Sequence, residues 1–147
     1  MGESVSSVMK SNCNISLVFT CTTVPNSVHG TVHTLSFNHM KGTHVGDKLF
    51  IPDSDNEFHI YSIEWTEDKI DFFIDDQKYF TFDNQNKSFA EYPFVKKFHL
   101  IFNIAIGGSW GGLMGIDDSI FPQRMEIDYV RVYDVEQMEK KNYLSKM

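Results

Sequence analysis

Two stretches of this 147-residue sequence space carboxylates at offsets that could support acid–base or displacement chemistry. Two carboxyls held close together can share a reaction, one as nucleophile and the other as proton donor. Glu126-Ile127-Asp128-Tyr129-Val130-Arg131 puts Glu and Asp two apart, on one face of a strand, with a third ionisable group further on. That third group is Arg131, which stays protonated at neutral pH and cannot give a proton to a leaving group. Asp53-Ser54-Asp55-Asn56-Glu57 also spaces carboxylates two apart. Behind Pro52 and among polar residues it reads as a solvated loop, which does not hold two carboxyls at a fixed separation.

Six histidines raise the question of a metal. His29 and His33 share a strand face but are about 13 Å apart, too far for one ion, and His39 and His44 fall in a loop, so zinc is not expected. Asn103 is an amide inside an apolar run. Burying an amide without partners is costly, so it either faces a wet cleft or is hydrogen-bonded in the core. Trp110 sits in Gly107-Gly108-Ser109-Trp110-Gly111-Gly112. The glycines let the loop approach a ligand closely, and the indole offers a face on which a sugar can stack through its C–H groups. The plain alternative is a tryptophan packing its own loop. Trp65, at the end of a strand, belongs in the core.

Strands must hold these side chains. Val28-His29-Gly30-Thr31-Val32-His33-Thr34 alternates, with Val28 and Val32 on one face and His29, Thr31 and His33 on the other. Residues 38–56 are polar, with Gly42, Gly46 and Pro52, and read as loop. Residues 58–65 and 70–74 form a hairpin across Thr66-Glu67-Asp68-Lys69, and Asp75-Asp76-Gln77 turns the chain again into residues 78–82. Residues 84–93 read as loop. Residues 98–106 are the most apolar run and the expected central strand, and residues 125–133 form the last one. Short strands between turn signals predict an all-β sandwich. No internal repeat is visible.

The length fits one domain and not two. Thirteen phenylalanines argue for a packed core rather than disorder. The net charge of −7 argues against nucleic acid, whose phosphates need a basic face. No apolar run approaches membrane-spanning length, so a membrane is not an expected partner either. Cys13 and Cys21 precede the strand-rich part, and whether they pair is open. Lys10 followed by the apolar stretch 15–21 makes a poor signal peptide, because Glu3 lies in its start and Ser, Thr and Cys dilute its middle. A buried or stray strand is the plainer reading. Asn14-Ile15-Ser16 and Asn86-Lys87-Ser88 fit the glycosylation triplet, a pattern that often arises by chance.

Four segments, in this order and spacing, carry a resemblance. They are Val28-His29-Gly30-Thr31-Val32-His33-Thr34; residues 58–66; Asn103-Ile104-Ala105-Ile106-Gly107-Gly108-Ser109-Trp110-Gly111-Gly112; and Phe121-Pro122-Gln123-Arg124-Met125-Glu126-Ile127-Asp128-Tyr129-Val130-Arg131-Val132-Tyr133. Together, over about residues 24–133, they resemble the C-terminal half of glycoside hydrolase family 16 in its laminarinase branch. The resemblance implies a concanavalin-like jelly-roll β-sandwich of antiparallel sheets, incomplete in this chain. It divides the chain into an unmatched segment at 1–23, half of a family 16 domain at 24–134, and a charged tail at 135–147. It also implies retaining cleavage of β-1,3- or mixed-linkage glucans by a Glu-x-Asp-x-x-Glu strand. There the first Glu is the nucleophile, the last is the acid/base, and a bulge brings both to one face.

In the family that strand lies shortly before the segment matched by residues 28–34. Here the place is held by Leu17-Val18-Phe19-Thr20-Cys21-Thr22-Thr23, with no acid. No catalytic residue is therefore expected in this chain, which reads as a β-1,3-glucanase-type fragment without activity of its own. The alternatives are a carbohydrate-binding module and a subunit that completes its sandwich with another chain. The resemblance implies that Thr31 and His33 line the cleft, that Asn103 meets sugar hydroxyls, and that Trp110 contacts sugar. A partly buried strand histidine is the plain reading of His33. Asp128 matches the aspartate of a structural calcium site whose other ligands lie mostly in the unmatched half, and no cofactor is required. The implied partner is β-glucan and the implied location extracellular, with self-association through exposed sheet edges.

Overall fold

The computed structural model describes residues 3–5, 16–21, 26–54, 56–85, 87–104, 106–122 and 124–134, with side chains from Asn26 onward except that of Trp110. The strands are β1 (Glu3–Val5), β2 (Ser16–Cys21), β3 (Ser27–His33), β4 (Val45–Phe50), β5 (Tyr61–Trp65), β6 (Lys69–Ile74), β7 (Gln77–Asp83) and β8 (Val132–Asp134). They form two antiparallel sheets, one of five strands in the order β7-β6-β5-β1-β8 and one of three in the order β2-β3-β4. β4 lies against β7, and the core fills the space between the sheets. This is the expected all-β, antiparallel architecture.

Turn chemistry sets the hairpins. Thr66 Oγ1 accepts from the backbone N–H groups of Asp68 and Lys69, closing the β5–β6 turn. Asp75 and Asp76 both have positive φ, 46° and 67°. Two left-handed residues give the twist that a tight hairpin needs, and short polar side chains tolerate that conformation best. The β5–β6 ladder runs from Tyr61 opposite Ile74 to Trp65 opposite Ile70. That register puts Ile63, Trp65, Ile70, Phe72 and Ile74 into the core.

β3 closes the core from the other sheet. Val28 and Val32 are buried, as the alternation requires, whereas His29, Thr31 and His33 are only partly covered. Gly30 has a packing reason. A Cβ there would lie 2.5 Å from the Tyr79 hydroxyl and 2.9 Å from Phe72 Cδ1, so only glycine lets Tyr79 and Phe72 close on β3. Beyond β7, Tyr92 stacks on Phe82 with ring centroids 5.6 Å apart, and Phe94 packs edge-on to both rings. Trp65 Nε1 donates to the Phe94 carbonyl at 2.6 Å, and the Tyr92 hydroxyl donates to the Thr66 carbonyl at 2.9 Å. Trp65 is thus the core residue it was expected to be.

Four expectations need correction. The polar stretch 38–56 contains β4, which pairs along β3 from Val32–Val45 to Ser27–Phe50. Only Val45 and Leu49 of β4 turn partly inward, and Gly46, Asp47 and Lys48 dilute the pattern of an edge strand. Residues 58–60 precede the ladder, which starts at Tyr61. Residues 98–106 are not a central strand. They have no ladder among the described residues, and Ile104 and Ile106 are 51% and 59% exposed. Residues 125–131 behave in the same way, and the last strand is confined to Val132–Asp134, paired with β1. Apolar composition suits a segment to a sheet, but the ladder also requires a neighbour with free backbone groups.

Candidate glucan-binding site

The outer face of β3 carries Thr31 and His33. Thr31 lies opposite Gly46 of β4, where a Cβ would meet the Gly30 carbonyl at 2.4 Å and Thr31 Oγ1 at 3.1 Å. On the other side, the ladder sets Ser16, Val18 and Thr20 of β2 opposite His33, Thr31 and His29. The turn after β3 then brings more histidine to this face. Thr34 N donates to the Phe37 carbonyl at 2.7 Å, while Phe37 N donates to Thr34 Oγ1 at 3.0 Å. Asn38 caps the following 3-10 turn (His39–Lys41) by accepting from Lys41 N at 3.1 Å. This reversal places the His39 ring edge-on to His33, with centroids 5.4 Å apart.

The His33 imidazole is half-buried, and its pKa lies below the ordinary value. Desolvation is the larger cause, and the nearby His39 and His44 add repulsion against a second positive charge. A neutral imidazole has one donor and one acceptor nitrogen, which suits it to a sugar hydroxyl. His29 is shifted the same way, by burial and then by Lys48.

Asn103 and Trp110 belong to a different part of the chain. Asn103 is exposed, so it is not an amide held in the core. Trp110 lies in the four-residue helix α1 (Gly108–Gly111), and its side chain falls outside the described residues. Gly107 and Gly108 both have positive φ, 71° and 82°, which lets the chain double back into α1. Beside this turn is an apolar depression of about 270 Å³, lined chiefly by Ile104, Ile106, Gly107, Ile116, Ile120 and Phe121. Asn103 does not line it. Among the described residues no hydrogen bond or ring contact joins Thr31 and His33 to Asn103.

Asp128 is exposed, and among the described residues no three His, Cys, Asp or Glu side chains converge to hold an ion. Calcium takes six to eight oxygens. The donor set described here does not fit it. The neighbouring carboxylate mimic is held as surface structure. Glu126 pairs with Arg124 at 2.7 Å, and the Arg131 guanidinium lies over the Tyr129 ring at 4.3 Å.

Two charged clusters escaped sequence reasoning. His59 Nδ1 is 2.5 Å from Asp75 Oδ2, its Nε2 is 3.3 Å from Asp53 Oδ1, and Asp75 Oδ1 accepts from Ile60 N. The hydrogen bond to Asp75 raises the His59 pKa, desolvation opposes it, and the charges of Asp75 and Asp53 add to the rise. His59 therefore ties the 51–60 loop to the β6–β7 turn through Asp75, and Asp53 contacts it from within the same loop. On β6, buried Asp71 meets Lys69 Nζ at 2.6 Å, the Thr81 hydroxyl, and Lys78 Nζ at 3.6 Å. Burial alone would raise the Asp71 pKa, but the bonds from Lys69 and Thr81 and the lysine charges hold it below the ordinary carboxylate value. The spacing Lys69-x-Asp71 puts both residues on one strand face, a signal present in the sequence. Nothing local links His59 to Asp75.

Comparison with known proteins now bears on these residues. Residues 23–131 match the profile described as Glycosyl hydrolases family 16. A beta-glucanase from Rhodothermus marinus is 46% identical over 114 residues, covering 74% of this chain and 40% of that protein. The laminarinase structure from the same organism superposes with a TM-score of 0.81 at 37% identity, over 90% of this chain and 59% of that one. SCLam, a non-specific endo-beta-1,3(4)-glucanase, was crystallised in a substituted form with 1,3-beta-D-cellotriosyl-glucose. It superposes with a TM-score of 0.80 at 34% identity, over 90% of this chain and 54% of that one. This chain thus spans well under two thirds of the length of these relatives. The match along residues 23–131, together with superposition on laminarinases of the same jelly-roll fold, shows that the chain belongs to glycosyl hydrolases family 16.

Proposed function

We propose that this chain forms one wall of a β-1,3-glucan-binding cleft and contributes no catalytic carboxylate to it. The observation that carries this reading is the neighbour of β3. β2, in register beside Thr31 and His33, runs Ser16-Leu17-Val18-Phe19-Thr20-Cys21, without an acid. Cleavage with retention needs two carboxyls about 5 Å apart across the bond. A hydroxyl, a neutral imidazole, an amide and an indole can instead recognise sugar hydroxyls and C–H faces without cutting.

Thr31 and His33 form the polar part of the wall, with Asn103 brought to the same glucan from the extended segment and Trp110 from the glycine-rich turn after it. The functional unit is residues 24–134, with 1–23 unmatched and 135–147 a charged tail, and it works outside the cell, where polymeric glucan is met. The superposition on a glucanase crystallised with a β-glucan oligosaccharide supports this choice of ligand.

Calorimetry with laminarin tests the reading. His33→Ala and Trp110→Ala should each weaken binding by about 1 kcal/mol, roughly fivefold. Unchanged affinity in both variants removes those residues from the site. Reducing-sugar release from laminarin or lichenan above a heat-killed control, with a mechanism-based epoxide glucoside labelling a carboxylate of this chain, would overturn the non-catalytic part.

A further inference from the structure

We propose that His39 is a positioning residue for glucan binding: the reversal after β3 sets its ring against the His33 imidazole and holds that imidazole in the orientation that meets sugar. This role rests on the reading of His33 as a glucan contact. The two rings meet edge-on, with centroids 5.4 Å apart and planes at 88°. Aromatic rings prefer this arrangement to a face-to-face sandwich. The turn itself is braced well beyond what its cap requires. Thr43 Oγ1 donates to the Ser36 carbonyl at 2.7 Å and accepts from Asn38 N at 3.2 Å, and Thr43 N donates to the Asn38 carbonyl at 3.1 Å. Lys41 Nζ donates to the Leu35 carbonyl at 2.8 Å. Gly42, at a φ of 66°, closes the 3-10 turn by donating from its N–H to the His39 carbonyl at 3.1 Å. These bonds tie the two ends of residues 34–43 together, so the His39 backbone is kept beside β3 although its side chain is exposed.

The charges around His33 point the same way. On its own strand the outward neighbours are Thr31 and His29. The turn brings His39, while Lys41 is engaged by the Leu35 carbonyl, and His44 stands just ahead of β4. On β2 the ladder partner is Ser16. The two charged influences on the His33 ring are both histidines, and neither is a carboxylate. An edge-on imidazole pair accommodates one proton, whereas two would set like charges against each other. His39 thus does two things to His33. It fixes the plane of the ring, and it favours the neutral form, which offers a sugar hydroxyl both a donor and an acceptor.

The test uses the whole chain. Laminarin affinity is measured by calorimetry at neutral pH in His39→Ala, His39→Phe, His33→Ala and the double variant His33→Ala/His39→Ala, and the His33 ring is followed by NMR through a pH titration. The His39 side chain is exposed, so neither substitution there opens the core. His39→Ala should weaken binding at least about threefold. His39→Phe keeps an edge-on ring and should restore most of that loss. In the His33→Ala background, His39→Ala should cost nothing further, because it acts only through His33. The His33 pKa should rise in both His39 variants, since a repelling neighbour is gone. Full affinity in His39→Ala overturns the proposal, and so does a His33 titration that neither variant moves. A further loss in the double variant overturns it too, because His39 would then touch glucan itself. If the native chain does not bind laminarin while the His33 titration still answers to His39, the glucan reading and the positioning role fall together. Loss of that answer with binding intact removes His39 and leaves the glucan reading standing, so the two failures are distinguishable.

Discussion

Residues 27–94 and residues 98–134 are both rich in large apolar side chains, yet one region is closed and the other open. In the first, Phe72, Ile70 and Val32 are fully buried between two sheets, and each strand has a neighbour. In the second, Ile104, Ile106 and Ile127 are about half-exposed on extended backbone without a ladder among the described residues. The hydrophobic effect acts on both alike. What differs is the presence of an opposing layer, since apolar area stabilises only where something removes it from water.

The sharpest way to break this contrast is to truncate one large apolar side chain in each region. Phe72→Ala should cost about 3–5 kcal/mol, enough to abolish cooperative urea unfolding followed by circular dichroism in a domain of ordinary stability. Ile106→Ala in the chain alone should shift the midpoint by less than about 0.5 kcal/mol, as exposed substitutions do. Equal effects would mean that the second region is packed after all.

A smaller effect is expected from Gly30→Ala, which drives a methyl against the Tyr79 hydroxyl and the Phe72 ring. Overpacking of this kind costs about 1–3 kcal/mol. Tyr79→Phe removes the nearest atom, so the double variant should recover part of the loss in a melting comparison. Trp65→Phe comes next, at about 1–2 kcal/mol, because it leaves the buried Phe94 carbonyl without its donor.

The smallest effect is pH-dependent. The folded His59 pKa is raised above 6.5, so its contribution is complete below that value and fades as pH rises through the folded pKa. The Asp75 pKa is lowered from 3.8. Burial opposes that shift, and the bonds from Ile60 N and His59 outweigh it. Its contribution is therefore complete above 3.8 and fades as pH falls through the folded value. The stability difference between the native chain and His59→Gln should be largest between about pH 4 and 6.5, at up to about 1 kcal/mol, and should shrink above that window. Arg124→Ala, in the open region, should change stability by less than about 0.5 kcal/mol, because its pair with Glu126 is exposed.

Much of the closed region was legible in local pattern. The alternation through residues 28–34 placed Val28 and Val32 inward and His33 outward, and the turn residues located both hairpins. β4 was hidden because Asp47 falls between Val45 and Leu49 on the same face, so the edge strand reads as polar loop. The His33–His39 contact depends on a turn held by Thr34 and Asn38, whose capping roles are plain only once the reversal is seen. The Asp53–His59–Asp75 cluster joins residues from two loops, and no periodicity encodes it.

The sequence by itself determined the all-β class, the family resemblance, the inward and outward faces of β3, and the lack of an acid between Leu17 and Thr23. All of these are properties of residue type and near-neighbour spacing. Only the tertiary structure decided that residues 45–50 pair with β3, that His39 returns to His33, and that residues 98–106 remain without a ladder among the described residues. A strand needs another segment's backbone to complete its hydrogen bonds, and which segment supplies it is not written in the strand's own residues.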